Sequence, residues 1–450
     1  MRGFHAFGLR RTHHNIGDLL LLWCRQSGTS QNRRTLLLEK HFGAPKTLRR
    51  LRAGLSGPHV DTFADTLDNH GYAHASVIRY VRAAAHLGVF VKRRGSALAD
   101  IDERMLEAFV QHLPRCRCPE SNGGKTGYHA SFGVKLFYLY LIQCGVCQAQ
   151  PTTTNQSVEP ALVTDFREWF QIHRGVLPPT LRHYTRGATE LLNALGEDVS
   201  RWDPQALRAF LMKRADECGT ETTQKLITSL RAFLRYLSFR GDAREDLYLA
   251  VPAVAHWRLA TLPRALSAEE LNRLIAACAG NTPGRLRDRA ILLLLSRLGL
   301  RAGDVARIQF ADIDWNGGTL KVIGKGRYQV RLPLPQDVGD ALLQYMECRS
   351  LVSAGDRVFL RTIAPVKPLT AHGISAVVKH ALRRAGIEAP AKGAHLLRHT
   401  AATEMLRHDV PLDQIGLVLR HRSIDMSAYY AKVDIALLQQ IAQPWPEVKA

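Results

Sequence analysis

The sequence is poor in cysteine and has no long hydrophobic run. Eight cysteines in 450 residues are too few for the disulfide framework of a small secreted protein. The longest apolar run, residues 136–142, is far shorter than the roughly 20 residues that cross a bilayer. A shorter apolar stretch at residues 19–23 is not followed by a small-residue cleavage site. We therefore expect a cytoplasmic protein with no membrane partner.

Sequence motifs for common cofactors are also missing. There is no P-loop, no GxGxxG followed by an acidic residue and no HExxH, so we expect no cofactor and no metal. One alternative stays open, because Cys116, Cys118, Cys144 and Cys147 could supply four thiolates to zinc. The C-x-C spacing is a less usual metal-binding pattern than C-x-x-C, and the second pair could simply share a helix end.

Acidic residues are scarce relative to basic ones. The chain has 61 Lys and Arg against 40 Asp and Glu, a formal net charge of +21. Such an excess favours a polyanionic partner, because each phosphate that is neutralised releases condensed counterions. A basic membrane-surface helix is disfavoured, since the charge is spread over the whole chain. A merely soluble basic protein remains the alternative on charge alone.

Length and patterning divide the chain into several parts. Residues 1–57 form a basic N-terminal extension to which we assign no fold. Apolar residues then recur at helical spacing through residues 58–150 and again through residues 158–250. A proline-containing linker separates the second helical region from a last domain at residues 262–450.

The two helical regions resemble each other in sequence. Three blocks match in the same order, at offsets of about 100 residues. Any two amphipathic bundles share some spacings, but the conserved order favours a duplication. The matched pairs are Tyr80 with Tyr184, Phe109 with Phe210, and Tyr140 with Tyr236.

The last domain is expected to be mainly helical with a small antiparallel sheet. A capping box, Ser267 to Glu270, should start its first helix. Residues 318–335 read as two strands around a tight turn. Residues 371–385, 396–407 and 412–420 have helical patterns. The fold class is thus mainly α, with all-α N-terminal domains and a small sheet in the C-terminal one.

Five sequence features follow one another in this last domain, and together they supply side chains that could bind and cleave a phosphodiester. Arginines on different helices can fork onto the non-bridging oxygens of one phosphate and stabilise charge during phosphoryl transfer. A tyrosine hydroxyl needs activation to become a nucleophile, and a cationic pocket lowers the cost of its phenolate. The features are Leu298 to Asp304 with Arg301, Gly324-Lys325-Gly326, His395 to His399 with Arg398, Leu419 to Ser423 with His421, and Tyr429-Tyr430.

In this order the residues resemble the catalytic domain of tyrosine recombinases, the phage integrase family. That family has an arginine in a "GLR" segment, a lysine on a β-hairpin, an "HxLRH" helix, a histidine or tryptophan, and a tyrosine nucleophile. Asp304 resembles the acidic residue that supports the family's pocket. The matching catalytic positions are Arg301, Lys325, His395, Arg398, His421 and Tyr430.

Two departures from the family pattern bear on the site. The family usually has Leu-Gly-His where this chain has Leu419-Arg420-His421, which adds a cation without displacing the histidine. A second tyrosine, Tyr429, precedes Tyr430. The family's nucleophile generally lies nine residues after the histidine, which selects Tyr430.

The resemblance implies DNA strand cleavage and rejoining without metal or nucleotide. Tyr430 would form a 3′-phosphotyrosyl link, while Arg301, Arg398 and His421 hold the phosphate. Lys325 would protonate the leaving group and His395 would assist proton transfer. Residues 158–250 correspond to a SAM-like core-binding domain that closes a C-shaped clamp on double-stranded DNA, with residues 58–150 as an additional domain of that kind.

The resemblance also implies assembly and context. The segment after the nucleophile commonly docks on a neighbouring protomer in this family, so we expect a tetrameric synapse on DNA at the nucleoid. Integration or transposition of a mobile element would be the biological setting. Two alternatives remain: a type IB topoisomerase-like enzyme that relaxes DNA, and a non-catalytic DNA-binding accessory protein.

Overall fold

Helices dominate the computed structural model. They fall into two compact units, one formed by residues 1–150 with residues 261–450, and the other by residues 151–260. Within the described residues there is one small antiparallel sheet, which confirms the predicted fold class. None of the described helices is long and apolar enough to cross a membrane. The structure describes residues 38–116, 118, 127–148, 159–176, 178–244, 247–253, 265–323, 329–349, 355–389, 391–421, 423 and 425–431.

Among the described residues, five helices surround the first apolar core. Their side chains recur at helical spacing, and Val77, Val81 and Ala84 on one face of α3 are fully buried. Gly145, after the last of these helices, has a φ of 73° and closes the helix end. The helices are α1 (Pro45–Ala53), α2 (Gly57–Asn69), α3 (His74–Arg93), α4 (Glu103–His112) and α5 (Gly127–Gln143).

This core begins earlier in the chain than the sequence pattern indicates. Leu38, Phe42, Leu48 and Leu51 are buried in it, although they lie in the extension to which no fold was assigned. Helix α1 is short and carries several arginines, so its apolar stripe is too brief to stand out from the basic stretch around it. Residues 38–53 therefore belong to the first helical region.

In the second unit, the residues that the structure describes form four helices around a core of their own. The Asp203 side chain starts α8 by accepting hydrogen bonds from the backbone N–H groups of Gln205 and Ala206. Gly241 ends α9 at a φ of 80°, like the glycine after α5. The helices are α6 (Ala161–Arg174), α7 (Pro178–Leu195), α8 (Pro204–Glu217) and α9 (Thr220–Arg240).

The same aromatic triad lies in both helical cores. In each, two phenylalanine rings meet nearly edge to face, with centroids 5.0 Å apart at 67° in the first and 5.1 Å apart at 63° in the second. The tyrosine ring lies 5.4 Å from the first phenylalanine in both. Helices α2–α5 follow one another in the same order as α6–α9, with a 3₁₀ turn between α3 and α4 (Leu98–Asp100) and another between α7 and α8 (Val199–Arg201). The triads are Phe63, Phe137 and Tyr140, and Phe166, Phe233 and Tyr236.

The last domain packs around α11, whose residues 290–295 are all buried. The Ser267–Glu270 capping box is present, with both reciprocal hydrogen bonds made. The helical patterns after residue 370 correspond to three of the observed helices within two residues at each end. The helices are α10 (Ala268–Ala276), α11 (Pro283–Arg297), α12 (Ala302–Arg307), α13 (Gln336–Cys348), α14 (Ala371–Arg384), α15 (Ala394–Arg407), α16 (Leu412–Leu419) and α17 (Asp425–Ala431).

A three-stranded antiparallel sheet follows α12. Its strands β1 (Ile313–Asp314), β2 (Thr319–Ile323) and β3 (Gln329–Pro333) lie in sequence order. Thr319 pairs with Pro333 and Ile323 with Gln329, so β2 and β3 form the predicted hairpin. Residues 324–328, which connect them and include Lys325, lie outside the described residues.

Candidate active site

Arg301 lies at the break between α11 and α12. Gly299 adopts a φ of 58° there, and the Leu419 side chain occupies the space that a Cβ would need. A larger residue would therefore be strained by both conformation and contact. The turn makes Arg301 the N-cap residue of α12, which directs it toward the end of α16.

Arg398 links three elements from the second turn of α15. Its guanidinium donates hydrogen bonds to the carbonyl oxygens of Gly299 and Leu419. The residue is only 4% exposed. Burial lowers the pKa of Arg398 to about 10, with a further contribution from the neighbouring Arg301 charge. The arginine predicted for the phosphate is thus fixed in place before any substrate arrives.

Asp304 is the buried anion among these arginines. Its carboxylate accepts hydrogen bonds from Arg420 and Arg307, both at 2.8 Å, and from the backbone N–H of Arg301 at 3.3 Å. Its side chain is 2% exposed. Since an uncompensated buried charge is costly, Asp304 stabilises the arginine cluster.

Arg420 stands where the family usually has glycine, and the structure shows how the arginine is accommodated. It has a left-handed backbone, with a φ of 56° at the end of α16, a position where glycine is the usual residue. Its side chain is 8% exposed and its ion pair with Asp304 offsets the backbone cost. Its carbonyl oxygen accepts a hydrogen bond from Arg301 at 3.2 Å. Arg420 therefore adds a third guanidinium to the cluster.

We expect Asp304→Asn to lower the free energy of unfolding by about 3 kcal/mol, the usual cost of removing one partner of a buried ion pair. Denaturant unfolding of the full chain measures this change. Asp337→Asn is the matched control, because Asp337 pairs with Arg297 at 2.9 Å on the surface, with both side chains more than 40% exposed. An exposed pair contributes about 0–1 kcal/mol. Equal losses in the two variants would contradict the role given to Asp304.

Tyr430 lies against two histidines. Its hydroxyl shares a hydrogen bond of 2.9 Å with Nδ1 of His399. Its ring is parallel to that of His421, with centroids 6.1 Å apart. His421 is held in turn by a 2.8 Å hydrogen bond between Nδ1 and the Ser427 hydroxyl. Tyr430 is 3% exposed, whereas Tyr429 is only half-buried.

The arginine charges near Tyr430 lower its pKa, but the net shift of its pKa is upward. Arg398 and Arg301 lower its pKa, yet burial outweighs them and raises the pKa to about 12. In the DNA-free protein, the arginines therefore do not by themselves activate the phenol. Burial lowers the pKa of His399 and of His421 to about 4, so both rings are neutral at pH 7.

His395 and Arg398 share a face of α15 near its N-terminus, as their spacing predicts. Burial, then the charges of Arg398 and Arg301, lower the pKa of His395. His399 is not among the catalytic positions that match the family, although it lies one helical turn after His395. Its ring centroid is 6.3 Å from that of His395. The spacing of four residues between His395 and His399 places both on one helix face, and this spacing could have indicated from the sequence that His399 belongs to the site.

The hairpin that carries Lys325 is tied to the arginine cluster. Arg307, which contacts Asp304, also donates a hydrogen bond of 3.3 Å to the carbonyl oxygen of Ile323. Ile323 is the last described residue before the loop. The predicted general acid itself lies outside the described residues, so its place in the site stays a prediction.

Two groups of polar residues outside the phosphate pocket have structural partners. On α14, Arg384 donates hydrogen bonds to Asp288 and Cys278, so its guanidinium is held within the fold. The four cysteines do not converge on one point. Cys147 donates to the carbonyl oxygen of Leu98, while Cys144 is exposed, because the turn after α5 directs the second pair elsewhere.

Comparison with known proteins identifies the fold and chemistry of this site. The sequence pattern of the phage integrase family matches residues 264–436. The chain is 33% identical over 414 residues to "Putative integrase/recombinase y4rA" of Sinorhizobium fredii (strain NBRC 101917 / NGR234), covering 90% of this chain and 99% of that protein. The chain belongs to the phage integrase family. It is a tyrosine recombinase, an enzyme of site-specific DNA recombination that cleaves and rejoins strands.

Further relatives of this integrase-family chain agree. Tyrosine recombinase XerD of Xanthomonas axonopodis pv. citri (strain 306) is 30% identical over 298 residues, which cover 64% of this chain and 97% of that one. Among solved structures, the post-cleavage complex of XerH recombinase with palindromic difH has a TM-score of 0.52 at 18% identity. It covers 63% of this chain and 84% of that chain. This likeness shows the shared fold.

Proposed function

We propose that Tyr430 is the nucleophile of this recombinase and attacks the scissile phosphate of double-stranded DNA. The observation that carries the proposal is the position of its hydroxyl. That hydroxyl lies 2.9 Å from His399 Nδ1 and within the electrostatic influence of Arg398 and Arg301. Tyr429, although adjacent, has a half-buried side chain, and the hydrogen bond between His399 and Tyr430 supports the choice of the second tyrosine.

In the proposed step, the Tyr430 oxygen forms a bond to phosphorus as the bond from phosphorus to the 5′ oxygen breaks. The product is a 3′-phosphotyrosyl link and a free 5′-hydroxyl on DNA. Arg301, Arg398 and His421 hold the phosphate oxygens, where fixed donors stabilise the charge of the transition state. Lys325 gives the leaving oxygen its proton. Attack by a 5′-hydroxyl of a partner strand reverses the step and joins the strands.

His399 accepts the proton that Tyr430 releases in this proposal. A phenol with a pKa of about 12 is almost entirely protonated at neutral pH, so proton removal must accompany attack. A neutral imidazole at hydrogen-bond distance can accept that proton, and the pKa of His399, about 4, keeps it neutral. His395, which lies next to His399 on the same helix face, assists proton transfer.

We expect His399→Gln to slow strand cleavage by about 10²–10⁴-fold, the usual contribution of a general base. Glutamine can still hydrogen-bond to Tyr430 but cannot take its proton. Single-turnover cleavage of a nicked substrate measures the effect. His408→Gln is the control, since His408 ends the same helix with a side chain that is 76% exposed. A His399→Gln rate within threefold of the His408→Gln rate would exclude the base.

The two N-terminal helical regions are proposed to be related DNA-binding domains that arose by duplication. Their support is the common order of helices, the repeated aromatic triad and glycines at both final helix ends. The second would be the SAM-like core-binding domain, and the first an additional domain of the same kind. The net charge of +21 suits a phosphate backbone.

The assembly we propose is a tetramer. Recombination of two duplexes exchanges four strands, and each chain offers one proposed nucleophile, so four copies are needed if each cleaves one strand. A mobile element in bacterial DNA is the proposed substrate, through integration, excision or transposition. The nucleoid would be the place of action.

The proposed chemistry is tested with a nicked suicide substrate built from DNA that flanks the native gene. Cleavage releases a short oligonucleotide, which traps the protein as a covalent adduct, and peptide mass spectrometry identifies the linked residue. We expect DNA on Tyr430. Absence of any adduct, with DNA bound, would favour a non-catalytic accessory protein. Joined products from two separate sites, rather than relaxed circles alone, distinguish recombination from topoisomerase activity.

A further inference from the structure

Two histidines and two cysteines meet in the first helical region, and none of them has a role in the proposed recombination chemistry. His86 lies on α3, and His112 is the last residue of α4. Cys116 and Cys118 follow the 3₁₀ turn Leu113–Arg115. One ligand atom from each residue lies within 4.8 Å of each of the other three. We propose that these four side chains bind one zinc ion.

The separations between these atoms suit a tetrahedral ion. His86 Nε2 lies 3.2 Å from Cys116 Sγ, and His112 Nε2 lies 3.4 Å from Cys118 Sγ. Zinc–sulfur and zinc–nitrogen bonds of usual length place sulfur and nitrogen about 3.6 Å apart on a tetrahedron. Only small side-chain adjustments are needed for all four atoms to reach one ion.

The donor set selects zinc and a structural role. Two thiolates with two imidazoles in a tetrahedral arrangement are typical of zinc. Four protein ligands leave no coordination position for substrate or water, as in structural rather than catalytic sites. His86 and Cys118 are each only 4% exposed, so the ion would be enclosed in the domain.

The surroundings of the cluster support bound thiolates. The Arg93 guanidinium donates to Cys118 Sγ at 3.1 Å, and the backbone N–H of Cys118 donates to Cys116 Sγ at 3.2 Å. Such donors stabilise negative sulfur and orient it toward a metal. The imidazoles are oriented by aromatic rings, with Phe109 4.9 Å from His86 and Phe90 5.1 Å from His112.

Zinc bound by these four residues would cross-link the segment after α4 to α3. His86 comes from the middle of one helix, while the other three ligands lie within seven residues at the end of another. The spacing is H-x25-H-x3-C-x-C, so the C-x-C pair supplies only half of the ligands and the distant histidines supply the rest. The ion would thereby cross-link the first helical region, independently of the phosphate pocket.

Metal analysis of the full-length protein tests the site directly. We expect one zinc per chain after purification with a reductant and without a chelator. Cobalt substituted for zinc should give the visible bands of a tetrahedral ion and the charge-transfer bands of thiolate ligands. Protein that stays metal-free after incubation with zinc would overturn the proposal. So would a Cys116–Cys118 disulfide, seen as the loss of two hydrogen atoms, in reduced and zinc-supplied protein.

Variants locate the ligands. Cys116→Ser and Cys118→Ser should lose the stoichiometric zinc, whereas Cys144→Ser, an exposed cysteine of the same region, should keep it. Full zinc in both ligand variants would overturn the assignment. His112→Ala and His112→Cys separate binding from folding. The alanine variant should lose zinc, while the cysteine variant should retain it and show stronger thiolate bands with cobalt; equal zinc in both would also overturn the assignment.

Discussion

Tyr430→Phe is expected to abolish covalent attachment to DNA and all strand exchange while leaving DNA binding at the wild-type level. The substitution removes one oxygen, the atom that would bond to phosphorus. Among the described residues, the Tyr430 hydroxyl is the one that hydrogen-bonds to His399. No second hydroxyl can therefore replace it as nucleophile, and cleavage should fall to background. Loss of that buried hydrogen bond costs about 1–3 kcal/mol, which a folded domain can tolerate.

Tyr429→Phe is the matched control for this experiment, because it removes the same oxygen one residue away. We expect it to form the adduct at a rate within a few-fold of wild type. The suicide substrate measures both variants, and a gel shift with intact duplex reports binding. An adduct in Tyr430→Phe together with its loss in Tyr429→Phe would transfer the nucleophile to Tyr429 and sink our assignment.

Arg398→Lys is expected to have the second-largest effect, a loss of about 10³–10⁵-fold in strand cleavage. That range is what a transition-state arginine contributes to phosphoryl transfer. Lysine keeps the charge but has one nitrogen, so it cannot both hold the carbonyl oxygens of Gly299 and Leu419 and donate two parallel bonds to a phosphate. The failure would be one of geometry rather than of charge.

A folding defect must be separated from a chemical one here, since Arg398 also links three structural elements. Arg407→Lys is the control on the same helix, where Arg407 pairs with Glu404 at 3.4 Å on the surface. Arg301→Lys supplies a second test in a side chain that is less buried than that of Arg398. Melting temperature and duplex affinity are measured for each. If Arg398→Lys and Arg301→Lys both fold and cleave within tenfold of wild type, the proposed phosphate clamp is wrong.

Zinc removal would act on a different part of the molecule from either of these substitutions. A chelator should destabilise the first helical region, because metal binding energy is folding energy in such sites. The Tyr430 and Arg398 variants should keep full zinc content. This contrast makes failure of the zinc proposal distinguishable from failure of the proposed active site.

Residues close in the chain were predictable from the sequence. The Ser267–Glu270 capping box, the shared helix face of His395 and Arg398, and the β2–β3 hairpin all depend on local geometry. A helix places residues three or four apart on one face, and a short turn pairs the strands beside it. The family of the chain followed from the order of such local motifs.

Contacts between distant residues needed the tertiary structure. His399 meets Tyr430 only because α15 and α17 pack together, and His86 meets Cys116 only because the chain after α4 returns to α3. The pKa of Tyr430 is raised because the effect of its burial is larger than the opposing effect of the arginine charges. The sequence by itself determined which chemical groups this recombinase carries and in what local arrangement. Packing decided which groups touch and how far each is removed from water, because both depend on segments that are far apart in the chain.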